Sequence, residues 1–359
     1  VAPVIGLAVG RGTGTELAAV FERIVNAFAR SCSVDVELAR SPRIYHSYSS
    51  LRGEGGIERI RRLTEEDARH YEQFCRSLAT SGTGAVFRTA INAQSLYLVR
   101  QRLQAVKVDV IGSGDSSLLL VRDEAQGFYT GENVHSPGLI TRTTTFSREI
   151  TEKVIAFAVE RARREWDGGR IDRIVLAYKF HLLDGALDDW VRESAARHGI
   201  EISLCQPDTV NRNLVEHGLT GRTVIVAGNE WADIMHVVLL DRFGSERQES
   251  RFTENVHLHP EVAGLVEYQT VHGSADDLEG RDLVNPVATA RAAAAVAERH
   301  AGCAGAVRAM ERALASLADR GIRTPDLGGR HSTTAVVDAL LEALEPRVPL
   351  AEPSLVAGS

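Results

Sequence analysis

His272-Gly273-Ser274-Ala275-Asp276-Asp277 is a histidine, three small residues and two acids in a row. Small residues after a histidine let the backbone close on a flat ligand, and an acid just beyond can accept a hydrogen bond from a ribose hydroxyl. Asn285-Pro286 sets a second turn nearby. By itself this is a weak signal for an adenosine pocket. Gly10-Arg11-Gly12-Thr13-Gly14 follows a strand-like run and precedes an amphipathic one. Such a turn either cradles a phosphate on a helix N-terminus or is only a tight connection. Lys179 follows the apolar run Ile174-Val175-Leu176-Ala177. A lysine at a strand end can lose its proton and act as a base, or extend into water as an ordinary surface cation.

The elements that must position these groups come from pattern. At 359 residues, with 44% hydrophobic and 25% charged residues, the chain is long enough for two domains of ordinary globular composition. No apolar run has membrane-spanning length. Val1 to Leu7 reads as a first strand and not as a signal peptide. The four scattered cysteines fit reduced thiols in the cytoplasm, and a net charge of −7 argues against a general nucleic-acid binder. Arg59, Arg61 and Arg62 read as a solvated helix face.

Strands are expected over residues 3–9, 117–121, 171–178 and 223–227. Helices are expected over 16–25, 57–80, 147–164, 187–198, 230–242, 288–300 and 332–344, with Ser147 as an N-cap. Residues 82–95 read as a loop leading to a strand, and the tail after Pro346 is expected to fray. Alternating strands and helices imply an α/β architecture.

With Gly321-Ile322-Arg323-Thr324-Pro325-Asp326-Leu327-Gly328-Gly329 added, the His272 segment resembles the isocitrate/isopropylmalate dehydrogenase family, the decarboxylating β-hydroxyacid dehydrogenases. The resemblance covers nearly the whole chain. It implies a discontinuous large cofactor domain, residues 1–92 plus 245–359, and an inserted substrate, metal and dimerisation domain, residues 93–244. It also implies NAD-dependent oxidation of a malate-like 2-hydroxy acid with loss of CO2, by a homodimer with shared sites.

What the resemblance implies can be followed residue by residue. Arg122-Asp123-Glu124-Ala125-Gln126-Gly127-Phe128-Tyr129 looks like the family's Arg-Glu-Asn…Tyr segment. Arg122 would bind a substrate carboxylate, and Tyr129 would protonate the enolate; otherwise they are a surface arginine and a half-buried tyrosine. Arg100 matches a first carboxylate-binding arginine, while the second is absent and Lys107 is the nearest substitute. Gln94 and Leu96 lie near the family's substrate-selecting loop and match neither named enzyme closely. Lys179 matches the catalytic lysine, with Tyr178 and His181 replacing its family neighbours.

For Mg2+ or Mn2+ the family uses Asp-x-x-x-Asp, which puts two carboxylates on one helix face. Asp233 matches the first and Val237 stands in place of the second, while Asp208 matches a ligand given by the neighbouring subunit. His272, Gly273, Ser274, Ala275 and Asn285 would line the adenosine pocket, and Asp277 would select NAD over NADP. Gln269 replaces a family glutamate on the nicotinamide side. Two other readings stand beside the dehydrogenase: a non-catalytic regulatory subunit, and an enzyme turned to a nucleotide-like ligand.

Overall fold

The computed structural model describes residues 2–244 and 247–345. The chain opens with β1 (Val4–Gly10), α1 (Gly14–Ser31), β2 (Glu37–Tyr45), α2 (Tyr48–Gly53), α3 (Ile57–Thr80) and β3 (Ala85–Arg88). It continues through α4 (Ala93–Arg102), β4 (Ala105–Ser113), β5 (Ser116–Asp123) and an antiparallel ribbon of β6 (Glu132–Ser136) and β7 (Leu139–Thr143). Then come α5 (Arg148–Glu165), β8 (Arg173–Ala177), α6 (Ala186–His198), β9 (Ser203–Cys205), α7 (Pro207–His217), β10 (Gly221–Ala227) and α8 (Asn229–Phe243). The last part holds β11 (Phe252–His257), β12 (Val266–Thr270), α9 (Val287–His300), α10 (Ala306–Asp319) and α11 (Thr333–Leu344).

Ten strands form one mixed sheet in the order β2-β1-β3-β12-β11-β4-β5-β10-β8-β9. The antiparallel joins are β12–β11, β11–β4 and β4–β5, and the other neighbours run parallel. Strands from residues 4–88 and 252–270 occupy one half, and strands from 105–227 the other.

Helices supply most of the cover. Along α1, Leu17, Phe21, Ile24 and Phe28 recur at helical spacing and are buried, with Phe21 stacked on Phe87 at 4.2 Å between centroids. Ala288, Ala290 and the run Ala292–Ala295 are buried on α9, so α1 and α10 can pack closely against it. In the other half Val154, Ile155, Ala158 and Val159 of α5 pack with residues of β5, β8 and β10. Ala232, Met235, Leu239 and Leu240 of α8 contribute to a further core cluster.

Most expected elements are present. Ser147 caps α5 by accepting from the Ile150 amide, and Ser332 caps α11 through the Ala335 amide. Residues 82–95 hold more order than a loop: β3 lies inside them, and Asn92 caps α4. The expected strand at 171–178 is shorter, Arg173–Ala177. Arg59, Arg61 and Arg62 sit on an exposed face and pair with Glu54, Glu58 and Glu66. The fraying expected after Pro346 falls outside the described residues. Among those described, no helix is long and apolar enough to cross a membrane.

Candidate active site and nucleotide cavity

Arg122 lies near the end of β5, paired in register with Ala227 of β10, just before α8 begins. The register therefore brings Arg122 to the first turn of α8. Its Nε donates to Asn229 Oδ1 at 2.9 Å and its Nη1 to Asp233 Oδ1 at 2.8 Å. Tyr129 donates its hydroxyl to Asp233 Oδ2 at 2.8 Å, and the Arg122 guanidinium sits 5.3 Å from its ring centroid. The turn before Tyr129 needs Gly127, which has φ +96° and lies against Asn229 and Glu230.

Burial, helped by Asp233, pushes the Tyr129 hydroxyl up to about 12, so it stays a proton donor. Burial acts to raise the Asp233 carboxyl, but Arg122 and Tyr129 outweigh it and hold it below its ordinary value. Behind this cluster the buried Asp123 accepts from the Ala125 amide, the Gln126 amide and the Tyr178 hydroxyl.

A second group adjoins it. Arg100 of α4 donates to Gln269 Oε1 at 3.2 Å, and its Nε lies 3.4 Å from Glu124 Oε2. Lys107 stands opposite Arg122 in the β4–β5 register. Burial pushes the Lys107 ammonium down to about 8, with Glu124 opposing the shift and Arg100 and Arg122 reinforcing it. The Tyr97 ring, 4.8 Å from that of Tyr129, lies within the fields of Arg100, Asp233, Arg122 and Glu124. The two groups thus form one charged site.

Lys179 and Asp208 lie apart from it. The lysine Nζ contacts Asp208 Oδ1 at 3.4 Å and Gln206 Oε1 at 3.3 Å, and sits 5.2 Å from the centroid of the Trp231 ring. Trp231 is two positions from Asp233 on α8, and residues two apart do not share a helix face.

The nucleotide candidates line a cavity of about 310 Å3 formed by His272, Gly273, Ala275, Val284, Asn285 and neighbouring residues. Ala275 holds a left-handed conformation, φ +45°. Ser274 lines the loop from behind: its carbonyl accepts from the amide and the hydroxyl of Thr13. Gly12 makes that approach possible, since a Cβ there would stand 2.6 Å from the Ser274 carbonyl oxygen. The Gly10–Gly14 turn therefore braces the His272 loop. Asp277 is exposed, and Leu278 rather than Asp277 lines the cavity. Asn285 donates to Asp326 at 2.9 Å, joining the two sequence runs that carried the resemblance. Burial lowers the His272 imidazole, and its buried Nε2 has no hydrogen-bond partner among the described residues. That unpaired atom and the small-residue wall fit an adenosine group.

A metal ion fits less well. Both Asp233 oxygens are taken by Arg122 and Tyr129, Val237 offers no oxygen, and Asp208 pairs with Lys179. Among the described residues no three His, Cys, Asp or Glu side chains gather as a metal site.

Sequence reasoning passed over Asn229 and Tyr97, and it gave Glu124 no role. The side-chain amide of Asn229 at the start of α8 was a signal for a helix-end contact. For Tyr97 and Glu124 the signal lies only in tertiary packing. Leu239 of α8 turns into the chain's own core, whereas Ile234, Val237 and Val238 of the same helix are exposed.

The mixed sheet and its helices are the α/β fold of solved decarboxylating dehydrogenases. An isocitrate dehydrogenase from Methylococcus capsulatus superposes with a TM-score of 0.67 at 19% identity, covering 95% of this chain and 99% of that one. A β-decarboxylating dehydrogenase from Thermococcus kodakarensis gives 0.64 at 22% identity, covering 95% and 96%. The profile of the isocitrate/isopropylmalate dehydrogenase family matches residues 84–340, and the chain belongs to that family. A probable tartrate dehydrogenase/decarboxylase of Agrobacterium vitis is 27% identical over 254 residues, 65% of each protein. Subunit 2 of the mitochondrial NAD isocitrate dehydrogenase of Kluyveromyces lactis is 27% identical over 238 residues, 64% of this chain and 61% of that protein. The chain thus spans slightly less than two thirds of the length of each of these two relatives.

Proposed function

We propose that the protein oxidises a malate-like 2-hydroxy acid with NAD and releases CO2, working in the cytoplasm as a homodimer. The observation that carries this reading is the convergence of Arg122, Tyr129 and Asp233 on one site. The division into residues 1–92 plus 245–359 and an insert of 93–244 belongs to the same proposal. So do the placement of Arg100, Arg122, Tyr129 and Lys179 around the substrate and of the His272 loop around the cofactor. NAD, when bound, supplies the hydride acceptor. Arg122 offers a planar fork to a substrate carboxylate, and Lys107 adds a second cation. Lys179 of the partner subunit takes the hydroxyl proton. Tyr129, kept protonated, delivers a proton to the carbon that loses CO2. No step is assigned to Mg2+ or Mn2+, because the described residues of one chain do not assemble a site for it.

Incubating the protein with NAD and a panel of malates, watched at the NADH band, tests the reading. NADH formation with at least one of them is the expected result. Absence of turnover despite binding would favour a regulatory subunit, a second reading supported by Val237 and by the engaged Asp233 oxygens.

The cofactor preference is a separate expectation. Asp277, exposed beside the cavity, should favour NAD over NADP by up to about 1 kcal/mol, the order of an exposed charge contact. Calorimetry with the two cofactors should show that gap, and Asp277→Asn should narrow it. Equal affinities would remove the role given to Asp277.

The substrate KM should rise about tenfold per pH unit above about 8, where Lys107 loses its charge. In Lys107→Gln the KM should be higher at neutral pH and flat across this range. The same residue makes stability rise between about 8 and 10.5, because the unfolded chain binds the additional proton there. A KM profile unchanged by Lys107→Gln would exclude it from substrate binding.

A further inference from the structure

Glu124 is 1% exposed, and neither of its carboxylate oxygens has a hydrogen-bond partner among the described residues. A buried carboxylate normally collects donors, because its desolvation is otherwise uncompensated. Its nearest cation is Arg100, whose Nε lies 3.4 Å from Oε2 and is itself without a hydrogen-bond acceptor. Arg100 is nearly as buried and spends one Nη on Gln269. The site thus contains an unmatched acceptor beside an unmatched donor, next to Lys107 and Arg122.

We propose that Glu124 is a specificity-determining residue that holds the charge of Arg100, so that the site takes a ligand hydroxyl, and not an additional carboxylate, beside that arginine. The inference rests on the hydroxy-acid reading above. A ligand carboxylate at Arg100 would share one guanidinium with Glu124, placing like charges together where water is scarce. A hydroxyl carries no charge, so it can accept from the Arg100 guanidinium without that repulsion. Arg122 and Lys107 remain for the ligand's own carboxylates. Selectivity then comes from a repulsive element built into the site as much as from attraction.

Calorimetry on the full chain, with malate, tartrate and isocitrate as probes, tests this. Tartrate adds a hydroxyl to the malate skeleton, and isocitrate adds a carboxylate arm. The wild-type chain should bind tartrate at least tenfold more tightly than isocitrate. In Glu124→Gln that ratio should fall about tenfold or more, mainly through tighter isocitrate binding, on the order of one charge–charge contact in a desolvated site. The wild-type ratio requires no variant, so equal binding of the two acids would overturn the proposal even if Glu124→Gln does not fold. Isocitrate bound as tightly as tartrate by the wild type, or an unchanged ratio in a folded variant, would overturn the proposal and leave the hydroxy-acid reading intact. If NAD binds but none of the three acids does, that reading fails and this inference falls with it.

Discussion

An exchanged mixture of Lys179→Ala and Tyr129→Phe chains should recover up to about a quarter of wild-type activity, although each variant alone is nearly inactive. Random exchange makes half of the dimers mixed, and a twofold interface gives each of these one intact site in two. Tyr129→Phe alone should lose on the order of 10²- to 10⁴-fold in turnover, the usual contribution of a positioned proton donor. The geometry motivates the experiment. Tyr129 is bound to Asp233, whereas Lys179 and Asp208 pair with each other beside Trp231, a residue that does not share Asp233's face of α8. A second copy is the natural route for a lysine to reach the tyrosine. Ile234, Val237 and Val238 of α8, and Val134, Leu139 and Ile140 of the β6–β7 ribbon, are exposed apolar residues suited to bury that contact. Verified mixed dimers with no recovered activity, or a strictly monomeric active enzyme, would end the shared-site mechanism.

Arg122→Gln should lower kcat/KM by roughly 10²- to 10³-fold or more, the scale of losing one partner from a desolvated, hydrogen-bonded charge pair. The same guanidinium reaches Asn229, Asp233 and the face of Tyr129, so its loss also frees the groups that orient the tyrosine. Arg122→Lys should recover little, because a single ammonium cannot reproduce the fork that bonds Asn229 and Asp233 together. Steady-state kinetics on both variants, with circular dichroism as the folding check, reads the outcome. Lysine restoring near-normal kcat/KM would show that only charge is needed there.

The helices with clear periodicity and a capping serine, α5 and α11, were legible in the sequence because their signals are local. Strand β2 was not. Its sequence Glu37 to Tyr45 alternates poorly, contains Pro42 and is mostly not buried, since only one side has a neighbour. Helix α7 carried an available signal in Pro207 at its first turn, and α10 an available apolar periodicity. In the site, Arg122, Tyr129 and Asp233 were named from a family pattern, and the structure brings those three together. Glu124 had no local signal, because its burial comes from packing beside Arg100 of α4 and beside Ala105 of β4, whose carbonyl accepts from its amide. The family pattern puts Gln269 on the nicotinamide side, and its contact with Arg100 joins β12 to α4, a pairing that no spacing reveals.

The ten-strand sheet has two free margins, and each is poorly suited to recruiting another strand. At one end β2 carries Pro42, whose nitrogen cannot donate, and its register with β1 shifts between Leu7 and Val9. At the other end β9 is three residues long. A long, regular margin would invite fibrous stacking as the protein accumulates during synthesis. These margins steer self-association away from backbone zippering and toward side-chain surfaces, where it can stop at a closed pair.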